Sequence, residues 1–315
     1  MTMNSIPEGR SKLGFIGIGA MGLRIAGRLL NHGFQVTVFD RNANKASTLV
    51  SSGATLARSI AELASDADVV LSSLPNDEAV RSVYIGPEGV LAHIRPGSMI
   101  IEMSTVNPES SRELYRLGSA RGVSVLDVPV SGSTSAAEQG LLTLLAGGDE
   151  DSFHSAKAIF TAIGRQYFYL GERGSGATMK LVVNTLLGVG MQAIAEAVAL
   201  GEKAGLDRQR LFEVLSKTAV IAPAHLGKLA KALEHDYRPE FAVGLMNKDF
   251  RLILETASAV HAPMPAAAAA FPINDAEFAD HPDYDFCAVI DRMEDLANIN
   301  SARRKSRGET ISLTK

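Results

Sequence analysis

Between residues 13 and 170 the chain alternates two hydrophobic patterns. Short runs rich in Val, Ile and Leu, at 13–18, 35–39, 69–74, 98–103 and 124–128, have the length and composition of buried β-strands. Between them lie stretches such as 21–30 and 108–120, whose apolar residues recur every three to four positions, the period of a helix with one buried face. Regular alternation of the two predicts βα units in series, and therefore a doubly wound, mostly parallel sheet. Two further apolar runs, 141–146 and 166–170, flank a helical stretch at 150–163 and are expected to extend the sheet.

After Gly171 the strand-like runs stop, and Ala, Leu, Lys and Glu recur at helical spacing through most of the remainder. The chain therefore reads as an α/β domain over 1–173 followed by an all-α domain over 174–315, with the glycines 171, 174 and 176 at the hinge. A length of 315 residues fits two cores better than one. Residues 1–11 read as a loose leader and about 300–315 as a polar tail, and the alanine run 266–270 reads as a helix start after Pro265.

The stretch 181–200 is apolar enough to raise the question of a membrane span, but it contains Asn184, Gln192 and Glu196 and follows Lys180, which suits a helix buried in protein better than one in lipid. No transmembrane segment is predicted. A net charge of -4 gives no footprint for nucleic acid, and the one basic cluster, Arg303, Arg304, Lys305 and Arg307, falls in the tail. The single cysteine, Cys287, allows no intrachain disulfide, and residues 1–12 carry no apolar signal core, so a cytoplasmic location is expected.

The first predicted strand runs into Gly17, Gly19 and Gly22, spaced G-x-G-x-x-G, with a helix opening at Ala20 and Met21. The first glycine permits a tight turn, the second lets a pyrophosphate approach the backbone, and the third allows the helix to pack on the strand, while the helix N-terminus attracts the anion. Asp40 ends the next strand, where a ribose-binding acid is expected. The motif in that context predicts a Rossmann domain holding a nicotinamide or related dinucleotide. The Asp40 carboxylate would repel a 2′-phosphate and favours NAD, whereas Arg41 beside it could clamp that phosphate and leaves NADP as the alternative.

Lys180 and Asn184 are four positions apart on one predicted helix and so share a face. Oxidising an alcohol by hydride loss needs a base for the hydroxyl proton, and the reverse needs an acid for the nascent alkoxide. A lysine serves both if burial or a second cation lowers its pKa from about 10.4, and Lys248 is a candidate second cation. The plainer readings are a surface lysine at 180, core packing for Phe241, and an ion pair of Asp249 with Lys248 or Arg251.

Four segments, the glycine turn, Asp127-Val-Pro-Val-Ser-Gly-Ser133, Gly174-Ser-Gly-Ala-Thr-Met-Lys180-Leu-Val-Val-Asn184, and Phe241 through Lys248-Asp249, make residues 12–290 resemble the β-hydroxyacid dehydrogenase family. That family includes 3-hydroxyisobutyrate dehydrogenase, tartronate semialdehyde reductase and glyoxylate/succinic semialdehyde reductase. The resemblance implies an NAD(P)-dependent enzyme that interconverts a short 3-hydroxyacid and its semialdehyde, working as a homodimer or homotetramer on a small carboxylate-bearing aldehyde or hydroxyacid. It implies Lys180 as general acid/base with Asn184 orienting it or the substrate, and Ser131, Gly132, Ser133 and Lys248 as substrate-binding. Leu74, Pro75, Thr105, Phe241, Lys248 and Asp249 would join Gly17, Gly19, Ala20, Met21, Gly22, Asp40 and Arg41 around the cofactor.

The chain departs from most of that family at Ser133, where glycine is usual, and at Thr185, where a second asparagine is common. Ser133, Tyr169-Leu-Gly, Met179-Lys-Leu and Asp285-Phe-Cys-Ala-Val-Ile look like the glyoxylate/succinic semialdehyde reductase branch, which uses NADPH and commonly has Asn-Arg in place of Asp40-Arg41. Imine reductases share the architecture but usually lack the motif lysine, and a 6-phosphogluconate dehydrogenase would need a longer helical domain. A catalytically silent dinucleotide-binding module would have no use for Lys180, Asn184 and Ser131 together.

Overall fold

The computed structural model describes residues 11–299, so residues 1–10 of the leader and the tail from residue 300, with its basic cluster, lie outside the described residues. The chain divides into two compact units, Met1–Val182 and Val183–Lys315.

Among the described residues, the first unit is built on nine strands: β1 Lys12–Ile16, β2 Gln35–Phe39, β3 Thr55–Leu56, β4 Val69–Ser72, β5 Met99–Glu102, β6 Ser124–Asp127, β7 Val130–Ser131, β8 Leu142–Gly148 and β9 Gly164–Tyr169. They are ordered β3-β2-β1-β4-β5-β6-β8-β7, with β9 on β8. Strands β1 to β6 are mutually parallel, while β8 runs antiparallel to β6 and β7 and parallel to β9. This is the doubly wound, mostly parallel arrangement, reversing direction between β1 and β4.

Both faces of the sheet are covered. Leu13, Phe15, Val36, Val38, Leu71 and Ile101 lie in one core and Val70, Ile100 and Val125 in the other. Helices on each face explain why these strands read as continuous apolar runs rather than as alternating ones.

The hydrogen-bonded ladders stop short of several predicted runs. Ile18, Met103 and Val128 stay buried after their strands have ended, so their hydrophobicity reflects burial of the loop at the strand's carboxyl end and not pairing. The expected helix at 150–163 is two helices, Glu150–Ser155 and Lys157–Ile163, breaking at Ala156.

The glycines assigned to a hinge divide in their reasons. Gly171 and Gly174 have positive φ, whereas a Cβ on Gly176 would stand 2.3 Å from the Leu145 carbonyl oxygen. Gly176 is thus required by close approach rather than by backbone freedom.

The second unit is helical. It takes in most of the long helix Ser175–Lys203, then Arg208–Lys217, Pro223–Leu233, Val243–Ala259, Pro265–Asp280 and Val289–Leu296. The helix at Pro265 begins where the alanine run predicted it.

Among the described residues, Ser175–Lys203 is the one helix long and apolar enough to cross a membrane, and 44% of its most apolar window is buried inside the protein. Asn184 and Gln192 are among its buried residues, while Leu186 and Leu200 are each 72% exposed.

Candidate functional site

The glycine turn is shaped for an anion. Gly17 has φ +93, and a Cβ there would stand 2.3 Å from the Ser73 carbonyl oxygen; at Gly22 it would stand 2.0 Å from the Gly17 carbonyl oxygen. Both positions are closed to any side chain. At Gly19 an added Cβ would meet nothing within 4 Å, so the space before the helix Ala20–Asn31 is open.

That helix has no side-chain cap at Gly19 and no acidic residue in its first turn. Its leading N–H groups therefore remain available to a pyrophosphate, and the residues present fit the dinucleotide the motif predicted.

Asp40 follows the end of β2 and holds the turn. Its Oδ2 accepts from the Ile18 N–H at 2.8 Å and its Oδ1 from the Asn42 N–H at 2.9 Å. Each oxygen keeps a second lone pair for a ribose hydroxyl. Lys45 Nζ lies 3.9 Å from Oδ1, and Arg41 is exposed.

The loops after β4 and β5 are tied together at the same carboxyl edge. The Leu74 N–H donates to Ser104 Oγ at 2.7 Å, the Asn107 N–H to Asp77 Oδ1 at 2.9 Å, and Ser110 Oγ to the same oxygen at 2.6 Å. Leu74 and Thr105 are half-buried and Pro75 is exposed, so all three border the surface there. The Asn76 side chain caps the helix Asp77–Tyr84.

The loop after β6 carries the expected carboxylate-binding residues. Ser131 is half-buried in β7, and Gly132 is exposed with φ +142, where a Cβ would come within 2.9 Å of Leu142. Ser133 is the N-cap of the helix Thr134–Gln139, its Oγ accepting from the Ala136 N–H at 3.1 Å. The serine at this departure from the family pattern therefore has a local use that leaves its backbone N–H outside the helix.

Asp127, the last residue of β6, faces the start of the long helix. Its Oδ1 accepts from the Gly174 N–H and its Oδ2 from the Ala177 N–H, each at 2.8 Å. Asp127 is 4% exposed, and burial raises its carboxyl pKa against the opposing pull of these backbone donors. Lys180, half-buried, follows one turn after Ala177. The carboxylate thus fixes the helix that carries the lysine to the strand whose loop carries Ser131 and Gly132.

Glu102, on the neighbouring strand and in register with Asp127, is also buried. Sequence reasoning assigned neither acid a role. The available signal was a lone carboxylate closing an apolar strand.

In the second unit, Asn184 is buried and its Nδ2 donates to Asp249 Oδ2, while its own Oδ1 has no partner. Lys248 Nζ lies 3.0 Å from Asp249 Oδ1, and Arg251 pairs with Asp275. Phe241 packs edge-on against Phe286, with ring centroids 5.8 Å apart.

The segment before Phe241 is held by Asp285. Its Oδ2 accepts from the Glu240 and Phe241 N–H groups and pairs with Lys228 Nζ at 2.7 Å. Cys287 is buried, and its thiol pKa is pushed up by burial and by Asp285. Among the described residues no group of His, Cys, Asp and Glu could hold a metal ion.

A reversed strand order at β1 and β4, an uncapped helix over an open glycine, and an acid at the end of β2 define a dinucleotide-binding domain. Residues 12–171 match the family model described as the NAD binding domain of 6-phosphogluconate dehydrogenase, and residues 174–293 match the NAD-binding domain of NADP-dependent 3-hydroxyisobutyrate dehydrogenase. The chain belongs to the β-hydroxyacid dehydrogenase family, and its cofactor is a nicotinamide dinucleotide.

It is 35% identical to 2-(hydroxymethyl)glutarate dehydrogenase of Eubacterium barkeri, over 83% of this chain and 87% of that protein. It is similar to the solved 3-hydroxyisobutyrate dehydrogenase of Mycobacterium tuberculosis with L-serine, at 33% identity and a TM-score of 0.81, over 89% of this chain and 98% of that one. It is also 35% identical, over 91% of its length, to the cytokine-like nuclear factor N-PAC of Xenopus tropicalis, of which it spans about half (54%).

Proposed function

We propose that this chain catalyses reversible hydride transfer between a nicotinamide dinucleotide and a short carboxylate-bearing substrate, interconverting a hydroxyacid and its semialdehyde. The observation that carries the reading is the bond from Asp127 to the first turn of the long helix. It sets Lys180 at a fixed register from the strand leading to Ser131 and Gly132. The names of the dehydrogenase relatives, each a hydroxyacid enzyme, support the same substrate class.

When bound, the dinucleotide supplies or accepts the hydride at C4 of its nicotinamide. Lys180 Nζ gives a proton to the alkoxide oxygen as the aldehyde is reduced, and takes it back as the alcohol is oxidised. Asn184 has committed Nδ2 to Asp249, which leaves Oδ1 to accept from the Lys180 ammonium or from the substrate hydroxyl. Ser131 Oγ and the backbone N–H groups at Gly132 and Ser133 hold the carboxylate.

NAD is the favoured cofactor, because Asp40 presents a carboxylate to the ribose edge and each of its oxygens has a lone pair to spare. Exposed Leu186 and Leu200 support assembly into a homodimer or homotetramer.

The N-PAC relatives hold this domain within a longer protein named as a nuclear factor, which supports a second reading as a dinucleotide-binding module without turnover. A panel of short aldehydes and hydroxyacids, followed by nicotinamide absorbance with NADH and NADPH, separates the two. Turnover of a carboxylate-bearing aldehyde, with higher kcat/KM for NADH, is expected. Tight binding with no turnover across the panel would favour the module, and higher kcat/KM with NADPH would reverse the cofactor assignment.

A further inference from the structure

Beneath the cofactor-facing loops lies a buried polar chain that the proposed chemistry does not use. Tyr84 Oη donates to Ser72 Oγ at 2.7 Å, and Ser72 Oγ donates to Glu102 Oε1 at 3.3 Å. The Ser104 N–H donates to the same Oε1 at 2.9 Å, and Ser104 Oγ in turn accepts from the Leu74 N–H at 2.7 Å. Ser72, Glu102 and Ser104 are each under 5% exposed, and Glu102 Oε2 is buried without a partner.

The chain joins three segments at the carboxyl edge where the strand order reverses: the end of β4, the end of β5, and the loop beginning at Leu74. The glycine turn belongs to the same assembly, because Gly17 packs directly against the Ser73 carbonyl and Leu74. A displacement of Ser104 would be transmitted to Leu74 and from there to Gly17.

We propose that Glu102 is a positioning residue for the dinucleotide: as a carboxylate it holds Ser104, and through Ser104 the Leu74 loop, in the binding geometry, and on gaining a proton it relaxes that hold. The carboxylate form makes the stronger acceptor, since hydrogen bonds to an ionised oxygen are roughly twice as strong as neutral ones.

The titratable groups facing Glu102 are Tyr84, from the helix Asp77–Tyr84, and Asp127, its register partner on β6. Burial, reinforced by the Asp127 charge and opposed by the Ser104 and Ser72 hydrogen bonds, pushes the Glu102 pKa up to about 7. The change of state therefore falls near neutral pH. The proposal rests on dinucleotide binding at the glycine turn and not on the role given to Lys180.

The test is a fluorescence titration with whichever of NADH and NADPH wild type binds more tightly, done without substrate at pH 5.5 and pH 8.5 on wild type, Glu102→Gln and Ser104→Ala. Glu102→Gln is expected to bind about fivefold more weakly than wild type at pH 8.5 and within twofold of it at pH 5.5, where Glu102 itself is protonated. A defect independent of pH, no defect, or tighter binding by Glu102→Gln at pH 8.5 would overturn the proposal.

Ser104→Ala removes the acceptor for the Leu74 N–H while leaving Glu102 in place. It is expected to bind several-fold more weakly at both pH values, and unchanged affinity in this variant would also overturn the proposal, even if Glu102→Gln does not fold. Failure of wild type to bind either dinucleotide would overturn the cofactor reading together with it.

Discussion

Asp127 and Ala177 are fifty positions apart in the chain, and the carboxylate of the first accepts the backbone N–H of the second at 2.8 Å. With the matching bond from Gly174, this one side chain satisfies two of the amides that open the long helix. Asparagine would keep the shape but turn one acceptor into a donor facing an N–H. Asp127→Asn is expected to lower unfolding free energy by about 2 kcal/mol and kcat about tenfold, with dinucleotide affinity within twofold of wild type. Urea unfolding, steady-state kinetics and fluorescence titration measure the three. A rise in dinucleotide Kd as large as the fall in kcat would place the defect in the glycine turn rather than in the helix that carries Lys180.

The raised Glu102 pKa has a consequence for stability that is separate from binding. A carboxyl whose folded pKa lies near 7, against about 4.5 in the unfolded chain, binds its proton more tightly when folded. Its contribution is fully present below the unfolded value and is lost as pH rises through the folded one. Between pH 4.5 and pH 8 this amounts to roughly 2 to 3 kcal/mol. Glu102→Gln has no such titration, so its stability relative to wild type should increase across that window in urea melts at a series of pH values. A difference that stays flat with pH would mean that Glu102 is not held protonated by burial. The ionised form thus costs the fold stability while strengthening the hold on Ser104, a conflict common at functional sites.

The sheet and the glycine turn were legible in the sequence because hydrophobic runs and spaced glycines are local signals. The ends of the strands were less legible. Ile18, Met103 and Val128 are buried just beyond their ladders, and a hydrophobic pattern cannot separate burial from pairing. Glu102 and Asp127 carried no periodic signal, because what gives each its role is a backbone amide or hydroxyl brought close only by folding. Of the two cations offered as partners for Asp249, local geometry selects Lys248, which turns back onto it, while Arg251 reaches Asp275 on another helix.

Gly19 and Gly22 separate ligand space from packing space. At Gly22 a methyl would meet the Gly17 carbonyl oxygen at 2.0 Å, so Gly22→Ala must move the backbone of the turn itself. At Gly19 the methyl would enter open space. Gly19→Ala is therefore expected to leave the melting temperature within about 2 °C of wild type while weakening NADH or NADPH binding about tenfold or more. Gly22→Ala should lose both stability and binding. Normal dinucleotide affinity in Gly19→Ala would mean that the pyrophosphate does not approach this helix N-terminus.

In the proposed reaction, Lys180 is the group on which turnover depends most. Its neighbour one turn along, Asn184, keeps an unpartnered Oδ1 at a position 1% exposed, an arrangement suited to receiving a proton donor. Removing the amine leaves the glycine turn, Asp40 and the Leu74 loop intact. Lys180→Ala should therefore lower kcat by about two to four orders of magnitude, with dinucleotide Kd close to wild type. Lys180→Arg restores a cation of similar reach, but a guanidinium does not give up its proton near neutral pH, so it should not rescue kcat. Stopped-flow turnover alongside fluorescence titration measures both quantities. Recovery of most of kcat in Lys180→Arg would make Lys180 a fixed charge that holds the substrate, not the group that exchanges its proton.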